Sequence, residues 1–245
     1  MRIFSSSKIP SNFCVFCNKS VGGWLPYREG KISVIAEKLE VIGSDINNFF
    51  CPDCECFDRE RHLFLYFNAL DLWSAVYTGD VLHIAPERKL SELISAKNQK
   101  YIKGDLLPAD DSIIQLDLTK TKLSEKQFDV IIANHVLEHI IDDKSALKEI
   151  YRILKPGGIA ILQVPYSPLL PESLECPSLE NDDLRNFLFG QEDHVRLYGM
   201  DYFDRLRKAG LEVEVINHEK FLSSLNPQQY GVNWREPLIL AKKIF

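Results

Sequence analysis

The sequence predicts an α/β protein: an open, mostly parallel sheet with helices on both faces, preceded by a small metal-binding module. Three observations carry this. Five of the six cysteines fall within the first 56 residues. From Gly79 onward short apolar runs alternate with amphipathic helical stretches, as in parallel strands joined by helical crossovers. A helix, glycine, strand sequence also recurs, in "ILKPGGIAILQVP" and again in "MDYFDRLRKAGLEVEVI". Residues 1–57 form the expected module, 58–78 a linking helix and 79–245 the main domain.

The front segment holds "CVFC" (Cys14, Cys17) and "CPDCEC" (Cys51, Cys54, Cys56). Two thiolates separated by two residues can face one ion from a single turn, and two such turns complete a tetrahedron. Cys14, Cys17, Cys51 and Cys54 are therefore the expected ligands of a structural zinc ion in a zinc-ribbon-like module. Cys56 is a spare thiol or a substitute ligand, and His62 a weaker substitute. The intervening "ISVIAEKLEVIG" has strand-like runs and is expected to form a hairpin. In "DRERHLFLYFNALDLWSAVY", Leu63, Phe67, Leu70 and Trp73 recur every three or four residues, the pattern of a helix with one buried face. Arg59 and Arg61 could meet an acidic ligand there or simply start a solvated helix.

Seven strands are expected in the main domain: "DVLHIA", "KYIKGD", "SIIQLDL", "FDVIIA", "IAILQVP", "LEVEVI" and "EPLILAKK". "ERKLSELISAKN" is the helix after the first. "DDKSALKEIYRILKPGG" is an amphipathic helix whose Asp142 and Asp143 suit the positive end of its dipole and which Pro156-Gly157-Gly158 should stop. Only a short link joins Asp105 to Ser112, too short for the usual crossover helix. Ligands of such sheets bind beyond the carboxyl ends of the strands, where strand order reverses. The residues placed there are His83 to Glu87, Asp105, Asp117 with Leu118, and Asn134 with His135. Two acids ending successive strands suit a ribose and an adenine amino group.

The stretch "FDVIIANHVLEHIIDDKSALKEIYRILKPGGIAILQVP" resembles the region around the fourth and fifth strands of class I S-adenosylmethionine-dependent methyltransferases, most closely their small-molecule branch. The resemblance spans Gly79 to Lys243, and Phe128 to Pro165 is its specific part. Related bacterial methyltransferase-like proteins also carry a cysteine-rich front. The resemblance implies a Rossmann-like seven-stranded fold and S-adenosylmethionine as methyl donor. It implies that Asp105 holds the ribose hydroxyls, Asp117 and the Leu118 backbone meet the adenine, and Asn134 and His135 lie beside the methionine part. His83, Ala85, Pro86 and Glu87 match the loop after the first strand. Here the chain departs from the family, which usually has an acid and a run of glycines. A phosphate-free cofactor relaxes the need for glycine. Ala85 is small, and Pro86 pre-sets φ for a helix start. Glu87 either attracts the cofactor's positive groups or stabilises the first helical turn.

Methyl transfer needs a base only when the acceptor must lose a proton. His135 and His194 are the candidates, and His139 reads as structural. His194 and Arg196 lie in "FGQEDHVRLYGMDY", which could orient an acidic or hydroxylated acceptor or be a solvated loop. Tyr166 to Gly190 is expected to be a lid or acceptor loop. No Asn-Pro-Pro-Tyr run follows the fourth strand, and Cys176 lies in a later loop, which disfavours nucleobase chemistry. The 29 basic and 35 acidic residues give a net charge of −6, without the footprint of a nucleic-acid binder. The expected acceptor is a small or sugar-like molecule. An RNA methyltransferase gripping its substrate through the zinc module, and a non-catalytic scaffold on the same fold, are the alternatives. No apolar run approaches the ~20 residues of a membrane span and no secretory signal is legible, so the cytoplasm is the expected location. Oligomeric state is not readable.

Overall fold

A computed structural model of the chain describes residues 12–245. Residues 1–11, the front of the expected N-terminal module, lie outside the described residues. The module opens with a small antiparallel knuckle, β1 (Phe13–Cys14) against β2 (Lys19–Ser20), which presents Cys14. The hairpin expected from "ISVIAEKLEVIG" is instead a helix, α1 (Val34–Lys38), capped by Ser33, whose Oγ accepts from the amides of Ile35 and Ala36. A good N-cap outweighs the β-propensity of the short Ile-Val-Ile run.

The linking segment is two helices, α2 (Asp58–Ala69) and α3 (Leu72–Thr78), broken at Asp71, whose φ is +55°. The predicted face survives the break, with Leu63 and Phe67 fully buried. Then follow β3 (Val81–Ile84), α4 (Arg88–Ser95), β4 (Tyr101–Asp105), β5 (Ile114–Gln115), β6 (Phe128–Ala133), α5 (Asp143–Ile153) and β7 (Leu154–Ile161). The chain continues through β8 (Leu174–Glu175), α6 (Asp182–Phe189), β9 (Arg196–Leu197), α7 (Asp201–Lys208), β10 (Glu212–Ile216), α8 (His218–Phe221), α9 (Pro227–Tyr230) and β11 (Leu238–Lys242).

Seven of these strands form one sheet in the order β10-β11-β7-β6-β3-β4-β5, parallel except for β11, which runs antiparallel to both neighbours. Alternation along the central strands builds two cores. Leu82, Ile84 and Ile131 pack toward α5 and α7, against Leu147, Ile150 and Leu206. Val81, Val130 and Ile132 face the other way, toward Leu63 and Phe67 of α2 and Leu90 and Ile94 of α4. The third strand is only two residues long, and 106–113 carry no helix, so the short link is met by a plain loop. The Pro156-Gly157-Gly158 run does not end α5. It lies inside β7, and the helix stops earlier, at Ile153. Strand order reverses between β3 and β6, and the crevice beyond their carboxyl ends collects the predicted site residues.

Candidate functional site

At the reversal point both central strands end in a left-handed residue that is not glycine: Ala85 after β3, with φ +46°, and His135 after β6, with φ +55°. A β-carbon in that region costs about 1 kcal/mol, so the turn that glycine usually makes is kept in conformation though not in sequence. The Ala85 amide donates to Gly104 O at 2.8 Å, fixing the loop to β4. Pro86 does not occupy the first helical position. Glu87 is extended (φ −66°, ψ 139°) and α4 begins at Arg88, so Pro86 instead shapes the approach to the helix.

Glu87 does not cap α4 either. Its buried carboxylate turns inward: His83 Nε2 lies 2.8 Å from Oε2, and Asn134 Nδ2 donates to Oε1 at 2.7 Å. Burial opposes ionisation, but the His83 hydrogen bond and charge outweigh it and hold Glu87 below the usual carboxylate range. His83 is itself fully buried, with Nδ1 2.7 Å from the Tyr101 hydroxyl, so it orients Glu87 rather than meeting a ligand. Arg59 Nε stands 3.3 Å from Glu87 Oε1 without hydrogen-bond alignment. The α4 amides are capped from another helix: Glu60 Oε1 accepts from Lys89 and Leu90, while its Oε2 accepts from Phe57. Burial, with Glu87 nearby, pushes Glu60 up to about 7.

Along the rim, Asp105 ends β4 and accepts from the Leu107 amide at 2.9 Å; Leu106 and Leu107 beside it are exposed. Asp117 takes the Thr119 amide and hydroxyl on one oxygen, and the Leu118 side chain packs into the core. One rim thus carries both acids and the Ala85 turn.

His135 is a hub. Its Nε2 lies 2.8 Å from Glu236 Oε1 and its Nδ1 3.6 Å from Glu138 Oε1. Burial disfavours a charged ring, yet the two carboxylates prevail and raise its pKa above the ordinary histidine value. A ring held between two carboxylates is a poor base for a third partner. His135 also lines a chamber of about 890 Å³ between the N-terminal module and α6, with Phe49, Phe57, Arg59, Phe187 and His194. Far from a solvated loop, His194 is buried. Its Nδ1 donates to Phe189 O at 3.0 Å, which leaves the lone pair on Nε2, and that atom has no partner among the described residues. Burial lowers its pKa. Arg196 is buried as well, and it spends four of its five donors on Glu175 and on the carbonyls of Leu137, Ile140 and Ile141, so it chiefly supports the loop. Arg61 is likewise structural, donating to the carbonyls of Cys56, Asn48, Tyr230 and Gly231.

Glu138 and Glu236 escaped sequence reasoning. Glu138 adjoins the "EH" dipeptide and was readable there, whereas Glu236 meets His135 across 101 residues with no local signal.

In the module, Cys14, Cys51, Cys54 and Cys56 bring their sulfurs within 4.8 Å of one another. Cys17, one of the four expected ligands, lies outside this group, 4.0 Å from Cys51 Sγ, whereas the spare thiol Cys56 lies within it. Cys14 Sγ is 3.6 Å from Cys54 Sγ and 3.5 Å from Cys56 Sγ. Zinc–sulfur bonds of ~2.3 Å set tetrahedral sulfurs ~3.8 Å apart, so the donor set fits zinc. The Cys56 hydrogen bond pulls Cys14 down to about 4 while burial and Cys14 push the Cys56 thiol up. Arg61 Nη1 lies 3.6 Å from Cys56 Sγ, a cation beside a cluster that binds as thiolates. His62 is not a substitute ligand, since its Nε2 pairs with His218 Nδ1 at 3.0 Å.

A seven-stranded sheet with one antiparallel strand and acids at the rim of the reversal point defines a Rossmann-like α/β domain with its ligand crevice at that rim. Residues 68–162 match the family described as Methyltransferase domain. Among curated proteins, the chain is 30% identical over 167 residues to a ubiquinone biosynthesis O-methyltransferase of Ruegeria pomeroyi, covering 64% of this chain and 65% of that one. It is 32% identical over 94 residues to an arsenite methyltransferase of Aquipseudomonas alcaligenes, covering 38% of this chain and 25% of that one. The chain thus spans less than two thirds of either relative's length. Among solved structures, a SAM-dependent methyltransferase from Archaeoglobus fulgidus aligns at 15% identity and a TM-score of 0.48, over 75% of this chain and 94% of that one.

Proposed function

We propose that the chain transfers a methyl group from S-adenosylmethionine to a small acceptor held in the chamber between the N-terminal module and α6. The observation that carries this reading is the pair of left-handed strand ends, Ala85 and His135, facing a rim that holds Asp105 and Asp117. In this reading Asp105 takes the ribose hydroxyls, and Asp117 with the Leu118 backbone takes the adenine. The Ala85-Pro86-Glu87 loop and Asn134 flank the methionine part, with His83 and Glu87 acting through Asn134. S-adenosylmethionine supplies the electrophilic methyl when bound; the protein's part is to align and desolvate. His194 faces the acceptor, while His135, committed to Glu236, stands beside Glu138 behind the chamber wall.

The aromatic walls, Phe49, Phe57 and Phe187, suit a compact acceptor body, and a buried imidazole lone pair suits an acceptor hydroxyl. The cysteine module is a structural zinc site that forms one wall, with boundaries after residues 57 and 78. No helix among the described residues is long and apolar enough to cross a membrane, and a cluster of reduced cysteines fits the cytoplasm.

Adding S-adenosylhomocysteine, the demethylated product, should raise the melting temperature, since any ligand of the native state stabilises it by RT ln(1 + [L]/Kd), about 2.7 kcal/mol at a hundredfold excess over Kd. An unmoved melting curve at millimolar ligand would turn the reading toward the scaffold alternative.

A further inference from the structure

Outside the cysteine module, the described residues bring metal-capable side chains together once more. Glu138, His139 and His194 each offer a ligand atom, all within 4.8 Å of one another. Glu138 and His139 come from the short 3₁₀ turn after β6, and His194 from the segment between α6 and β9. The two segments are tied by the Val195 amide, which donates to Glu138 O at 3.0 Å.

Two independent observations mark this cluster as more than chance packing. First, His194 Nε2 and Glu138 Oε2 are buried polar atoms without a partner among the described residues, on residues only 3% and 1% exposed. Leaving both unpaired would cost about 1–3 kcal/mol each, so the fold holds them for something. Second, both imidazoles are oriented as metal-ligating histidines are. His194 Nδ1 is held by Phe189 O at 3.0 Å, and His139 Nδ1 by Asp193 Oδ2 at 3.2 Å. A ligating histidine almost always gives its other ring N–H to a carbonyl or carboxylate, which fixes the tautomer and turns the lone pair toward the metal. The other Glu138 oxygen faces His135 Nδ1 at 3.6 Å, a second group orienting the carboxylate.

We infer that Glu138, His139 and His194 form a binding site for a divalent first-row cation at the wall of the acceptor chamber. Two imidazoles and one carboxylate are the donors that zinc, cobalt and manganese accept. Ligand atoms around such an ion stand about 3.3 Å apart, which small side-chain rotations reach from the present spread. Three protein ligands leave coordination positions open, and His194 lines the chamber, so those positions face the acceptor. The inference rests on the methyltransferase reading for its purpose. A hydroxyl bound to the cation is acidified there, so an alcohol or phenol becomes a nucleophile and its proton passes to solvent without a side-chain base.

The test counts zinc. The purified chain, equilibrated with Zn²⁺ and freed of loosely held ion, should carry about one zinc more per chain than Glu138→Gln or His194→Gln treated alike. This difference does not depend on how the cysteine site is filled. Equal zinc in all three proteins overturns the inference. Should either variant fail to fold, Co²⁺ added to wild type holding a single equivalent of Zn²⁺, which the thiolate cluster takes first, decides. Weak d–d bands without new thiolate-to-cobalt charge-transfer absorption are expected, and only intense thiolate bands, or no bands, would overturn the site. The S-adenosylhomocysteine melting shift, run on the same samples, separates the two readings. A shift without the extra metal removes this site alone, and no shift removes the methyltransferase reading whatever the metal count.

Discussion

A single carboxylate, Asp105, ought to decide donor affinity. Among the described residues the only partner of its carboxylate is the neighbouring Leu107 amide, so one oxygen remains for a ligand. Replacing it with alanine should weaken S-adenosylhomocysteine binding about tenfold or more, the worth of hydrogen bonds to a charged acceptor. It should leave the melting temperature of the free protein nearly unchanged. Titration calorimetry checks the affinity, and equal affinities would strike Asp105 from the site. The places of Asp105 and Asp117 are legible in sequence because they follow from local position, at the end of β4 and two residues past β5. Ala85 is half-legible: its place is clear, but its left-handed backbone is not, since alanine normally avoids it. Glu236 is not legible at all. Its contacts with His135 and, at 4.0 Å, with His62 are made by tertiary folding alone.

At the scale of elements, the joint between α2 and α4 does the work that a glycine-rich loop does elsewhere. The positive end of α4 faces the crevice, and the chain brings Glu60 from α2 to satisfy two of its free amides. Glu60→Ala would orphan those two and the Phe57 amide as well, the Leu90 amide buried and the other two partly buried. Urea unfolding should then show a loss of about 3 kcal/mol, at 1–3 kcal/mol per stranded donor moderated by water entry. A loss below about 0.5 kcal/mol would show that the cap is incidental. Element types were readable wherever the hydrophobic period was long, as in α5 and β6. They failed where a short signal competed with a local one. Ser33 capping turned an apparent strand into α1, and a left-handed Asp71 split one periodic run into two helices. The Pro-Gly-Gly run is a bend within β7 because Gly157, at φ +80°, lets the strand turn without leaving the sheet.

For the molecule as a whole, the N-terminal module is a wall of the chamber and a brace of the fold at once. Arg61 explains how. From α2 it reaches Cys56 O beside the sulfur cluster, Asn48 O in the module, and the carbonyls of Tyr230 and Gly231 near the C-terminus, and it stacks 4.0 Å over Trp24. Ile42 pairs with Tyr166, and the Ser33 hydroxyl donates to Phe187 O on α6, so the module also holds the far side of the chamber. A metal held by these sulfurs would therefore be coupled to the global fold, because a ligand set that assembles only on folding returns its binding energy as stability. Treating the protein with a zinc chelator under reducing conditions should lower its melting temperature by about 5 °C or more, the shift expected for roughly 2 kcal/mol in a chain of this size. The stabilisation by S-adenosylhomocysteine should persist, since Asp105, Asp117 and Ala85 stand on the sheet and not on the module. An unchanged melting curve after complete metal removal would mean that hydrogen bonds and packing alone hold the module in place. If the nucleoside shift were lost too, the coupling would run through Glu60 and α4 into the donor site, and the module would be part of the cofactor machinery as well as the acceptor wall.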